Sequence, residues 1–243
     1  MTKPNPLNNH PLQQYYSRIY KTYDLVNRLF TFGLDRRWRR FTVSSCLKDH
    51  PADVLDLCCG TGDLAIGISL AAANPVHVTG FDLNPDMLNI ARQKAFMHHV
   101  STIEFVLGDA AAMPFRDDTF DCITIGFGFR NLTFENPRRD RHIGEISRVL
   151  KPGGRLLILE SAVPENIPIA FFYRLYLKLF LIPLGGLLSG EWNAYRYLAG
   201  SATGFYTFKE LYEMMQLHGL NLNLARKFLL GSVNLLIATK KGR

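Results

Sequence analysis

The stretch Val54–Ala65, VLDLCCGTGDLA, decides the reading of the fold. An apolar, β-branched run carries Asp56 at its end, a turn containing Gly60 and Gly62 follows, and DLAIGISLAAA continues at helical spacing. A buried strand passing through a glycine turn into a helix is the opening of a β-α-β unit.

Outward from that stretch the alternation repeats. VHVTGFDL reads as the next strand, and NPDMLNIARQKAF as a helix with Asn84 as N-cap, Pro85 in the first turn and Asp86 facing the dipole. IEFVLGDA and FDCITIGFG are further strands; RDRHIGEISRVL is a helix stopped by Pro152-Gly153-Gly154, and RLLILES a fifth strand. Thr207 and Glu210 form a capping box before FKELYEMMQLHGL, and LNLNLARKF with VNLLIATKK reads as a terminal hairpin. Strands alternating with helices predict an α/β fold, a doubly wound and mostly parallel seven-stranded sheet with an antiparallel pair at one edge. One domain is expected over 1–243: a helical lid at 1–47, a core at 48–160, an apolar helical cover at 161–206, and a helix with the hairpin at 207–243.

The composition is that of a globular chain: 47% of 243 residues are apolar and 20% charged. A net charge of +7 comes without a dense Lys/Arg block interleaved with aromatics, so no nucleic-acid partner is expected. Cys46, Cys58, Cys59 and Cys122 form no C-x-x-C pair and read as free thiols of a reducing compartment. The N-terminus lacks the apolar core of a signal peptide, its first ten residues read as poorly ordered, and a cytoplasmic location is the expectation. No His/Cys/carboxylate cluster has ligand spacing, so no metal is expected.

Gly60-Thr61-Gly62 with Ala65 satisfies G-x-G-x-x-[GA], and Asp82, twenty positions past Gly62, closes the second strand where an acid meets ribose hydroxyls. That much suits NAD and S-adenosylmethionine alike. Charge separates them: Asp56 and Asp63 flank the turn and Asp109 ends the third strand, an acidic rim opposed to a pyrophosphate and suited to an ammonium and a sulfonium. Asp63 is also read as a helix cap. An NAD-dependent oxidoreductase and a non-catalytic binding module stay open at this point.

VLDLCCGTGDLA, GFDLNPDML, GDAAAMPFRDDTFDCITIGFGFRN and RVLKPGGRLLILE resemble class I S-adenosylmethionine-dependent methyltransferases. YDLVNRLFTFGLDRRW and AYRYLAGS narrow the resemblance to the ubiquinone/menaquinone biosynthesis C-methyltransferases over nearly the whole chain. The resemblance implies Asp56, Gly60, Thr61 and Gly62 at the donor's turn, Asp82 on its ribose, and Asp109 with Ala110 on its adenine. Gly126 stands where the family often has a serine. Val26, Phe30, Thr31 and Asp35 also depart from the family's preferences, as does the Glu160-Ser161-Ala162 run. The implied acceptor is a polyprenyl quinol, demethylmenaquinol foremost, or another lipid or small aromatic molecule.

Methylating a quinol ring carbon needs alignment, exclusion of water and a partner for phenolate charge. Arg130, in the loop after the fourth strand, is the expected oxyanion partner, and Asp24 and Tyr23 of the lid are candidates at the proton step. His142 reads as a surface or capping residue, while Tyr195, Arg196 and Tyr197 line the acceptor pocket or pack the cover. Ile167–Leu188 is apolar but interrupted by Arg174, Lys178 and Pro183, which reads as an interfacial or pocket-covering helix touching a membrane peripherally. A homodimer through that face stays open.

Overall fold

The computed structural model describes residues 11–242; the first ten, expected to be poorly ordered, lie outside them. Strands β1 (Asp53–Leu57), β2 (His77–Asp82), β3 (Ile103–Leu107), β4 (Phe120–Gly126), β5 (Leu150–Ser161), β6 (Leu220–Phe228) and β7 (Val233–Lys240) form one sheet in the order β3-β2-β1-β4-β5-β7-β6. The first five run parallel, and β7 is antiparallel to both β5 and β6. The doubly wound sheet with its antiparallel edge is as the sequence predicts. Helices cover both faces, so Val54, Leu55, Leu57, Cys122, Ile123 and Ile125 are all buried, which is why these strands read as apolar runs.

The order reverses between β1 and β4, and the crevice beyond their carboxyl ends is the natural ligand site of such a sheet. Helix α3 (Asp63–Ala71) leaves β1 through the glycine turn, and α4 (Pro85–Met97) leaves β2. Asn84 caps α4 by accepting from Asp86 and Met87 N–H, and Pro85 occupies its first turn. The short α5 (Phe129–Thr133) and α6 (Arg139–Val149) follow β4. Pro152-Gly153-Gly154 does not separate helix from strand as expected. Strand β5 already begins at wholly buried Leu150, paired with Phe120, and resumes at Arg155 opposite Cys122, so the prolyl-glycine turn is a bulge inside it. Gly153, at φ 76, adopts the left-handed conformation the bulge requires.

Above the sheet edge lies a helical layer. Helices α1 (Pro11–Phe30) and α2 (Leu34–Leu47) meet at a turn where Phe32 and Gly33 both have positive φ. Helix α7 (Ile167–Tyr176) continues through a π-helical turn, Leu177–Leu181, into α8 (Ile182–Ser189). Pro183 cannot donate to the helical ladder, and the ladder is rearranged immediately before it. Helix α9 (Trp192–Thr203) packs its Tyr195 and Trp192 rings where Cβ atoms at Gly185 and Gly186 would stand, so those glycines set the close approach. Ile19 and Val26 of α1 join Leu177, Leu181 and Tyr195 in one buried cluster that binds the N-terminal helix to this layer. Helix α10 (Phe208–Leu217) opens with the Thr207–Glu210 capping box and leads into β6.

Candidate functional site

Strand ends bring the predicted acids together. Cys58 to Thr61 after β1, Asp82 on β2, Gly108 to Ala110 after β3 and Gly126 on β4 line one cavity. Tyr16 and Tyr23 of α1 close it from above. Gly60, at φ 54, donates its N–H to Asp82 Oδ2 at 2.8 Å, while Asp82 Oδ1 accepts from Asn84 N–H at 2.8 Å. Burial raises the Asp82 carboxyl above its ordinary range, and these backbone donors partly offset that rise.

Asp56 stands behind the turn rather than in the cavity. It is buried, accepting from Ala65 N–H at 3.1 Å and from the Thr124 hydroxyl at 2.9 Å, and desolvation lifts its carboxyl to about 7. Gly62 likewise does not line the cavity; at φ 81 it begins α3, where a Cβ would meet Ala91 at 3.0 Å. Asp63, the first residue of α3, makes no capping hydrogen bond among the described residues. It pairs with Lys94 and lies 3.7 Å from Arg39 Nε; burial would raise its carboxyl, but Arg39 and Lys94 hold it below the usual value.

Asp109 takes the Ala111 N–H at 2.9 Å and the Arg138 guanidinium at 2.6 Å. Burial opposes ionisation there, yet those two partners keep the carboxyl below its ordinary value. His142 corrects the sequence reading. It is buried, bonds through Nδ1 to Leu132 O at 2.8 Å, lies 3.8 Å from Asp109 through Nε2, and lines the cavity.

The turn's amides are largely engaged: Gly60 N–H with Asp82, Gly62 N–H with the Cys59 carbonyl, and Ala65 N–H with Asp56. A pyrophosphate needs those donors free. With the Asp82 and Asp109 carboxyls in its lining, the cavity fits a ligand carrying positive charge and ribose hydroxyls, the chemistry of S-adenosylmethionine.

Helix α1 is pinned over this cavity. The Thr61 hydroxyl donates to Asp24 Oδ1 at 2.8 Å, and Lys94 Nζ reaches Asp24 Oδ2 at 3.1 Å, so this candidate is held in a network. Tyr23 is half-buried, and desolvation of its hydroxyl raises the phenol above the ordinary value and keeps it a neutral donor. The Asn131 side-chain amide donates to the Tyr16 hydroxyl at 2.9 Å.

A second, apolar cavity lies beneath α7 and the π turn, between Phe30, Phe172, Tyr176, Leu181 and Leu198. Its mouth carries Phe32, Phe172, Leu229 and Leu230, all strongly exposed. Arg130 faces this cavity, on α5 rather than in a loop, and its charge is already matched by Glu160 at 2.8 Å. Desolvation lowers the guanidinium's pKa, but Glu160 together with Tyr16, Tyr173 and Tyr23 raises it above its usual value. Tyr195 is buried against α8, and neither it, Arg196 nor Tyr197 lines the second cavity.

Tyr23, Arg39 and Phe127 line both cavities. Sequence reasoning missed Arg39 and Phe127. Phe127, at φ 60, stands in the FGFRN stretch already singled out, and Arg39 directly follows Trp38, the last residue of YDLVNRLFTFGLDRRW. Among the described residues no group of three or more His, Cys, Asp and Glu is placed to hold a metal ion.

The sequence model described as the ubiE/COQ5 methyltransferase family matches residues 5–240. A demethylmenaquinone methyltransferase of Thermus thermophilus is 44% identical over 204 residues, covering 84% of this chain and 90% of that protein. The ubiquinone/menaquinone biosynthesis C-methyltransferase UbiE of Geotalea daltonii is 37% identical, covering 80% of this chain and 81% of its own. Among solved structures, a SAM-dependent methyltransferase of Aquifex aeolicus superposes with a TM-score of 0.54 at 18% identity, over 77% of this chain and 81% of that one, a likeness of fold.

Proposed function

Since the chain belongs to the ubiE/COQ5 methyltransferase family, we propose that it carries the methyl group of S-adenosylmethionine to a ring carbon of a polyprenyl quinol, demethylmenaquinol foremost. The observation carrying this reading is the junction of two unlike cavities: one acid-rimmed at the strand ends, the other apolar and open at an exposed leucine and phenylalanine mouth. S-adenosylmethionine supplies an electrophilic methyl carbon on a sulfonium. Asp82 holds the ribose hydroxyls, Thr61 and Gly60 shape the turn beside the amino-acid end, and Asp109 with Ala110 faces the adenine. Arg130, fixed by Glu160, orders the wall of the acceptor cavity, and neutral Tyr23 donates a hydrogen bond where the two ligands meet.

The acceptor's polyprenyl tail leaves through the apolar mouth. The continuous helix Ile167–Ser189 is long and apolar enough to cross a membrane, and little of its apolar surface is buried. Its outward Phe171, Phe172, Leu179 and Leu187, together with Arg174 and Lys178, suit peripheral contact with an anionic bilayer from which the quinol is drawn.

Calorimetric titration with S-adenosylhomocysteine and, separately, with NADH tests the donor half of this reading. Saturable binding of the first with none of the second is expected; the reverse order contradicts it.

A further inference from the structure

Two guanidinium groups border the apolar cavity, and they differ in what they have left to give. Arg130 gives Nη1 to Glu160 and Ser161 and its backbone N–H to Glu160, so its charge is matched although its Nε is also buried and unpartnered. Arg39, on α2, makes no hydrogen bond from its nitrogens among the described residues; its Nε is buried and unpartnered, and the nearest acid oxygen, on Asp63, is 3.7 Å away. That acid is itself held by Lys94. The Arg39 side chain is 16% exposed, so the spare donors face the space shared by the two cavities rather than bulk water.

The surroundings hold this cation in place. Its guanidinium carbon lies 5.5 Å from the centre of the Phe127 ring, within reach of a cation–π contact. Phe127 sits at φ 60, a conformation bulky side chains avoid, which brings its ring to the passage. A Cβ at Gly126 would stand 3.3 Å from Arg39 Nη1 and 2.7 Å from Leu64, so a bare glycine leaves room for the guanidinium.

Resting on the quinol-methylation reading, we infer that Arg39 forms an oxyanion subsite for an aryl hydroxyl, binding the acceptor oxygen adjacent to the carbon that receives the methyl. The hydroxyl proton leaves to water through the cavity mouth, and the phenolate is held by the guanidinium fork. The neighbouring ring carbon gives an electron pair to the methyl carbon as the carbon–sulfur bond breaks, and that bond's pair stays on sulfur. Phenolate and sulfonium charges disappear together. The methylated carbon then loses its hydrogen to water as a proton and the oxygen regains one, leaving the quinol and one proton released per methyl. A fixed cation at that oxygen favours the ionised hydroxyl before the transfer, so more of the bound acceptor is in its nucleophilic form.

Arg39→Met and Arg39→Lys test this with the full-length protein. At neutral pH the Met variant is expected to lose on the order of a hundredfold in kcat, with S-adenosylhomocysteine affinity within about threefold of wild type. The deficit should shrink as pH rises, because the acceptor then ionises unaided, and Lys should recover part of the rate. Wild-type kcat in the Met variant, or a deficit equal at every pH, overturns the subsite. A second measurement needs no turnover: 1-naphthol, whose anion absorbs apart from its neutral form, is titrated with pH while bound alongside S-adenosylhomocysteine. Its ionisation should fall by about one unit or more on wild type, less on the Lys variant, and not on Met. Equal ionisation on all folded variants, or no binding to wild type, overturns the inference, and should Met fail to fold, the comparison with Lys decides. Wild-type protein that binds and ionises the naphthol yet methylates no quinol overturns the quinol reading and leaves the subsite standing.

Discussion

Arg130 Nη1 lies 2.8 Å from Glu160 Oε1, and the other oxygen of that carboxylate takes the Arg130 backbone N–H at 3.1 Å. Both side chains are almost wholly buried, at 6% and 2% exposure. Removing one partner therefore strands a charge in a dry place. Arg130→Met should cost about 3–5 kcal/mol of stability, and the double variant with Glu160→Gln should recover much of it. Denaturant midpoints check this; an Arg130→Met protein as stable as wild type contradicts the pairing.

Asp56 gives a pH dependence of definite sign. Its carboxyl is raised to about 7 in the fold from an ordinary value of 3.8, so the native state holds a proton that the unfolded chain releases. Its contribution to stability is complete below the unfolded value and is lost as pH climbs through about 7. Three units of difference correspond to on the order of 4 kcal/mol. Asp56→Asn keeps an acceptor for Ala65 N–H and Thr124 and should flatten the profile, gaining stability at pH above 7. Denaturation across that range in both proteins is the check; parallel profiles contradict the assignment.

Asp82 anchors the glycine turn and faces the cavity with the same carboxylate. Asp82→Ala should weaken S-adenosylhomocysteine by about 2–4 kcal/mol, roughly thirtyfold to several-hundredfold. Calorimetry on a folded variant with unchanged affinity would remove Asp82 from the donor site.

Leu229 and Leu230 sit at the cavity mouth, strongly exposed and both at positive φ. Two consecutive bulky residues in a strained conformation, presented to solvent, suit a surface that meets lipid. Leu229→Glu with Leu230→Glu should reduce co-flotation with vesicles of mixed phosphatidylglycerol and phosphatidylcholine on the order of tenfold, leaving donor affinity intact. Equal flotation contradicts membrane contact at this mouth.

The alternation of strands and helices was legible because parallel strands buried on both faces are apolar throughout, and the caps at Asn84 and Thr207 are local signals read without tertiary knowledge. The gathering of Asp82 and Asp109 at one sheet edge follows from that alternation alone. What stayed hidden depends on distant partners. Nothing near Arg130 announces Glu160, nor does the helix around His142 reveal that its ring turns inward to Leu132. The bulge at Pro152-Gly153-Gly154 follows from the burial of Leu150 beside Phe120, a pairing across thirty residues. Arg39 reads as one cation among several in RRWRR until α2 is laid across the passage between the two cavities.

The proposed reaction moves a methyl group from S-adenosylmethionine to a ring carbon of a quinol. Purified protein incubated anaerobically with demethylmenaquinol and S-adenosylmethionine bearing a trideuterated methyl tests it most directly, with the quinone fraction read by mass spectrometry. The expected product is heavier by one trideuteromethyl less one hydrogen, with the label on the ring carbon in the fragment spectrum and one S-adenosylhomocysteine formed per quinol. Label found on oxygen, or a quinol recovered unmethylated by protein that binds the donor, would contradict it.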